Sequence, residues 1–172
     1  MSKGIARDPS SHRTYYDPLV SFLVSHDQPQ GRVEVVPTRF HWEAAYVAPT
    51  IPLARGWERQ LDTANNPLFY DEEPMTAATY RAWLINNGVR YVALSDAPID
   101  FAGQAEGALV AGGVPGLAPV WHDAHWQVFE VIGSDGIADG PIRLVNLAGD
   151  HASLIADEPG VGLLRVHFNP RW

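Results

Sequence analysis

The stretch "TAATYRAWLINNGVRYVALS", residues 76–95, constrains the fold more than any other part of the chain. Tyr80, Trp83, Leu84 and Asn87 recur at helical spacing, and Thr76 stands where a side chain caps a helix N-terminus. Gly88 suits the left-handed position that ends a helix, and "VRYVALS" resumes at once as an almost unbroken run of strand formers. A strand without polar alternation is covered on both faces, so other elements must lie above and below it. That requirement predicts an α/β chain. Thr79 stands where a capping box carries Glu or Gln, so the cap is expected to be incomplete.

The neighbouring segments fit this architecture. "YYDPLVSFLVSHDQPQG" places Leu19, Phe22 and Leu23 at helical spacing after Asp17-Pro18, with proline tolerated in the first turn. "RVEVVP" reads as a short strand with Val33 and Val35 on one side and Pro37 ending it, and "FHWEAAYVA" as a second extended segment. A helix is expected through Trp57, Leu61, Ala64 and Leu68, stopped by Asn66-Pro67. Another runs from Asp100 to Gly112-Gly113, and "APVWHDAHWQVFEVI" reads as a hairpin with "HDAH" near its tip.

The expected fold class is α/β: a small mixed sheet with flanking helices, followed by a β-rich C-terminal segment. Residues 1–14 read as a loose N-terminal segment, 15–133 as the α/β domain and 134–172 as the β-rich segment, entered through the linker composition of "GSDGIADG". The strands "IRLVNL", "HASLIA" and "VGLLRVHF" are too few for an independent sheet. They either pack onto the α/β domain or form part of a β-sandwich.

Composition excludes several function classes. With 172 residues, 46% hydrophobic and 19% charged, the chain is globular, and its formal charge of −8 leaves no basic stripe for nucleic acid. Cysteine is absent, which removes disulfides, thiolate catalysis and Cys-bound zinc. No apolar run approaches the roughly 18 residues of a membrane span. Lys3 is the single lysine beside eleven arginines.

The candidate chemistry gathers in "ARGWERQLD", which offers Arg55, Trp57, Glu58, Arg59 and Asp62, with Tyr70 following. Read as one helix, Arg55 and Arg59 share a face, as do Glu58 and Asp62. Arginines suit a carboxylate or phosphate, an indole suits a sugar face, and paired carboxylates do acid–base work. Acids near a helix N-terminus are also what the macrodipole favours, and Arg59 pairs with them without any ligand. Both readings stay open.

His122, Asp123 and His125 in "HDAH" are weak candidate metal ligands, because a clear third ligand and the helical HExxH register are both lacking. Arg39, His41 and Glu43 share one side if that segment is extended. The chain has no GxSxG elbow, no P-loop and no GxGxxG after a strand. No cofactor and no catalytic residue is expected.

"RVEVVPT", "ARGWERQLD", "NPLFY", "YRAWLINNGVRYVAL" and "APVWHDAHWQVFEV", in that order, resemble the C-terminal extracytoplasmic region of actinobacterial polytopic membrane proteins similar to GT-C-type glycosyltransferases. The resemblance covers roughly residues 8–172, and "ARGWxRQ" and "YxxWLxxxGVxYV" are its most specific parts. It implies an upstream membrane domain in the same polypeptide, a place on the extracytoplasmic side of the cell membrane, and a glycan or polyprenyl-phosphate sugar as partner. It transfers no catalytic residue, because the acidic catalytic loop of such enzymes lies near their first membrane helices and no position here matches it. The expected function is a non-catalytic ectodomain that supports cell-envelope glycan transfer by docking or ligand binding. The residues by themselves also allow a stand-alone glycan- or protein-binding module, or a small metal-dependent hydrolase built on the histidines.

Overall fold

A computed structural model describes residues 8–27, 30–56, 58–71, 73–148 and 151–166. Four strands form a mixed sheet in the order β1-β2-β4-β3, made of β1 (Arg32–Val35), β2 (Val89–Ser95), β3 (Leu117–His122) and β4 (Trp126–Val131). β1 runs parallel to β2, which pairs antiparallel with β4, which closes the hairpin with β3. The chain is α/β, as the central strand requires: Val89, Val92 and Ala93 are fully buried.

Helices cover both faces of the sheet. α1 (Arg13–His26) lays Tyr15, Tyr16, Leu19 and Leu23 over Val33, Val35, Ala93 and Val128. On the other face, Tyr80 and Leu84 of α4 (Ala77–Asn86) and Val110 of α5 (Gln104–Gly112) pack on Val36, Val92 and Val131. Each fully buried Leu or Val side chain contributes roughly 1.5–3 kcal/mol against exposure. α1 begins before Asp17-Pro18, inside the segment expected to be loose. Pro18 therefore lies in its interior, but on the exposed side, where the carbonyl it leaves unbonded meets water.

Three local expectations are corrected. Thr76 and Thr79 form a reciprocal capping box: each hydroxyl accepts from the other's backbone N–H, at 3.2 and 3.0 Å. A threonine hydroxyl therefore fills the role expected of Glu or Gln. "FHWEAAYVA" holds the short helix α2 (Glu43–Tyr46), not a strand. Trp42 and Tyr46 stack with centroids 5.6 Å apart, and residues four apart share a side in a helix and in a strand alike, so spacing could not separate the two. The helix α3 (Arg59–Asn65) starts only at Arg59 and is inverted: Leu61 is 57% exposed while Asp62 and Asn66 are buried.

The expected linker is a packed seam. Ile137 is fully buried and its N–H donates to the Gln30 carbonyl at 3.0 Å. A Cβ on Gly88 (φ +63°) would stand 2.5 Å from the Gly136 carbonyl oxygen, so backbone packs directly on backbone here. Beyond the seam, β5 (Ala138–Asp139) pairs with β8 (Leu163–Leu164), and β6 (Ile142–Ala148) forms a hairpin with β7 (His151–Ala156). Ile137, Ala138 and Leu144 make a third small core. Nη1 of Arg32 ties this segment to the sheet, donating to the carbonyls of Asn87 (2.6 Å) and Arg165 (2.8 Å). The expected strand "VGLLRVHF" is only two residues long where described, and its His167 and Phe168 lie outside the described residues. Among the described residues no helix is long and apolar enough to cross a membrane.

Two glycine substitutions separate strain from simple chain entropy. Gly88→Ala is expected to destabilise the fold by about 2 kcal/mol or more, since it adds a left-handed penalty to a backbone clash. Gly112→Ala, with nothing within 4 Å, should be neutral or stabilise by up to about 1 kcal/mol. Urea unfolding of both variants checks the contrast.

Candidate functional site

The chain leaves α2 and runs back along the outer edge of β1. The Val33 N–H donates to the Pro52 carbonyl at 3.0 Å, and the Ala54 N–H returns to the Val33 carbonyl at 2.9 Å. This short parallel bridge, Val33 to Leu53, fixes the next residue, Arg55, beside Glu34. It also explains why no helix starts at Arg55: the backbone there is committed to the sheet edge. Arg55 and Arg59 therefore do not share a helical face.

Arg55 is the centre of a buried charge network. Its Nε donates to Glu34 Oε1 at 2.9 Å, its Nη2 to Glu106 Oε2, and its Nη1 lies 3.6 Å from Asp62 Oδ2. The guanidinium carbon sits 3.5 Å from the centroid of Phe69, which caps one face. Further donors reach Glu106 and Asp62. Tyr80 donates to Glu106 Oε1 at 2.7 Å, Tyr70 donates to Asp62 Oδ2, and the Asn66 amide donates to Asp62 Oδ1 at 2.8 Å. Trp83 Nε1 then donates to Asn66 Oδ1 at 3.0 Å. Glu34 Oε2 and Arg55 Nη1 have no hydrogen-bond partner among the described residues.

The electrostatics follow from burial. Desolvation by itself would lower the Arg55 guanidinium, but the fields of Glu106, Glu34 and Asp62 outweigh it and hold the charge in place. Burial pushes the Glu34 carboxyl well above the usual carboxylate range. Arg55 pulls it back, and the charge of Glu106 adds to the rise. Burial and then the Asp62 carboxylate push the Tyr70 hydroxyl up to about 12. With side chains only 3, 1, 0 and 6% exposed for Arg55, Glu34, Glu106 and Asp62, no solute reaches these groups unless the fold opens.

A second polar lattice lies where β1 and β2 end, joined by the Thr38–Ile99 bridge. His41 adopts φ +55°, in the left-handed region that a non-glycine residue rarely occupies. Its Nδ1 stands 3.3 Å from Glu43 and its Nε2 3.6 Å from Asp100, which Arg59 approaches at 3.7 Å. Glu43 also accepts from Thr38 at 2.7 Å. The hydrogen bond to Glu43 raises the His41 imidazole against a smaller lowering by burial, with Asp100 adding to the rise. The extended segment that would put Arg39, His41 and Glu43 on one side does not form, and His41 meets Glu43 through this left-handed turn.

At the hairpin tip, Asp123 Oδ1 accepts from the backbone N–H groups of His125 (2.8 Å) and Trp126 (2.7 Å), which makes it turn hardware. The His125 ring turns to Asp96 Oδ2 at 3.0 Å, and Asp96 Oδ1 accepts from Tyr15 at 2.6 Å. His122 ends β3 and is exposed. Among the described residues no group of three His, Asp or Glu side chains is placed to hold a metal.

Of the sequence-derived ligand-facing set, Arg55 and Asp62 are interior, the Tyr70 hydroxyl is taken by Asp62, and Glu58 and Arg59 are exposed. Trp57 lies outside the described residues. The sequence reading missed Glu34, Glu106, Tyr80 and Asn66 as members of the network. A signal existed for two of them: Glu34 interrupts a valine run, and Glu106 is the lone acid of an otherwise uncharged helix. No family model, curated protein or solved structure matches this chain.

Two outcomes are expected. Arg55→Ala should destabilise by about 3–5 kcal/mol, because it strands buried carboxyl groups, whereas Arg59→Ala should stay within about 0.5 kcal/mol. Chemical denaturation of the two variants checks this. The second concerns pH. Burial raises the folded Glu34 carboxyl above its unfolded value, so folding favours proton uptake and this group's contribution falls as pH rises above about 4.3. Glu34→Gln should therefore make the decline of stability above roughly pH 5 shallower, as urea midpoints across pH will show.

Proposed function

We propose that this chain is a non-catalytic extracytoplasmic module of a polytopic membrane protein of the GT-C-like kind, and that it supports envelope glycan transfer by docking. One observation carries the reading. The cluster that looks most catalytic in the sequence, Arg55 with its surrounding acids, is consumed in joining β1, the sheet-edge segment, α3 and α5. The segments on which the resemblance rests map onto the same scaffold, since Arg55, Tyr80, Trp83 and Gly88 all serve packing or internal hydrogen bonds. A resemblance carried by such residues speaks for a scaffold and transfers no reaction centre.

What remains for recognition is on the surface. Glu58 and Arg59 stand exposed at the start of α3, and the β6–β7 hairpin turns Val145, Leu154 and Ile155 to solvent at 48, 40 and 44% exposure. Exposed apolar side chains, with charged groups elsewhere on the surface, suit a protein partner, the upstream membrane domain, better than a small substrate.

An antibody raised against the purified chain tests the location. In fractionated cells of the source organism it should detect the epitope in the membrane fraction, and external protease should remove it from spheroplasts. Detection in the cytosolic fraction, protected from protease, would overturn the proposal.

A further inference from the structure

Beside the His41 turn lies a surface pocket of about 570 Å³ lined by Arg39, Phe40, His41, Trp42, Ala44 and Ala45. It opens where the chain leaves the carboxyl end of β1, next to its parallel neighbour β2. Open α/β sheets hold ligands at this end, and the volume lies within the range of small-molecule sites.

The backbone that shapes the pocket is strained and over-determined. His41 holds its left-handed conformation between Glu43 and Asp100, and the His41 N–H bonds back to the Thr38 carbonyl at 3.1 Å. Strain of this kind costs on the order of 1–3 kcal/mol and persists where the surroundings enforce it. One donor at the pocket is unspent. Arg39 is exposed and makes no ion pair among the described residues, unlike Arg55 and Arg59. Trp42 keeps its indole N–H buried without an acceptor among the described residues. No acid lines the pocket, because Glu43 is buried and turned to Thr38 and His41. The walls are otherwise aromatic and methyl carbon.

We propose that this pocket binds a small, flat, apolar molecule bearing one carboxylate, with Arg39 taking the carboxylate and Phe40 and Trp42 taking the ring. Charge complementarity selects this occupant. A neutral ring leaves Arg39 unpaired, and a cationic one meets a guanidinium with no lining acid to offset it. The site belongs to the chain itself and does not depend on the membrane parentage proposed above.

Three probes with one ring system test it on the full chain: 2-naphthoate, 2-naphthalenemethanol and 2-naphthylmethylamine. Amide and indole NMR shifts, with calorimetry, read the binding. Saturable shifts of Ala44, Ala45 and the Trp42 indole are expected with naphthoate, with the alcohol about tenfold weaker and the amine weaker still. Arg39→Gln, at an exposed position, should bring the acid down to the affinity of the alcohol. The inference is overturned by naphthoate that fails to saturate or shifts other residues, by equal binding of all three probes, or by an acid affinity that Arg39→Gln leaves unchanged. None of these results bears on the cell-fractionation experiment, so the two proposals fail separately.

Discussion

One buried guanidinium organises this molecule. Arg55 meets carboxylates from β1, α3 and α5, whose positions lie far apart in the chain, at residues 34, 62 and 106. A buried ion pair is a poor source of net stability, since desolvation consumes most of the Coulomb attraction. Its value lies in discrimination. Any packing that slides α5 or α3 away leaves a naked charge in the interior, and such packings are excluded whatever apolar area they bury. The short α3, with its leucine outward and its aspartate inward, exists in this pose because Arg55 requires it.

The ends of the strands are built differently from their middles. Glu34 lies within β1 and is closed to solvent, whereas His41, Asp96, Asp100 and His125 lie past the strand ends, where side chains meet water. Burial raises the Asp96 carboxyl, but the Tyr15 hydroxyl and the His125 ring together hold it below its ordinary value. The interior network keeps the fold in register, and the rim leaves charged and aromatic groups for partners. That division separates what this sequence needs in order to fold from what it offers for recognition.

The sequence was most legible where periodicity and packing agreed. The α4–β2 unit, the β3–β4 hairpin and α5 lie close to where spacing puts them, and in α4, β2 and β4 apolar positions such as Leu84, Val92 and Val128 are also buried ones. It was least legible at α3, where the buried face is polar, and a hydrophobic period points the wrong way when Asp62 and Asn66 have partners inside. α2 was ambiguous because Trp42 and Tyr46 satisfy both periods. The candidate site was half legible. "ARGWERQLD" holds Arg55 and Asp62 of the buried network, but nothing local to it reveals that Glu34 and Glu106 complete it from 21 and 51 residues away from Arg55.

The glycine seam bears on how this chain can be divided. By composition, residues 133–140 invite truncation, insertion or grafting. Gly136 lies so close to Gln30 and Gly88 that main chain touches main chain, with no side chain between to yield. A cut there would uncover Ile137 and remove the carbonyl of Arg165 from the grip of Arg32. The C-terminal strands and the α/β body therefore have to be kept together, and the apparent hinge is a weld.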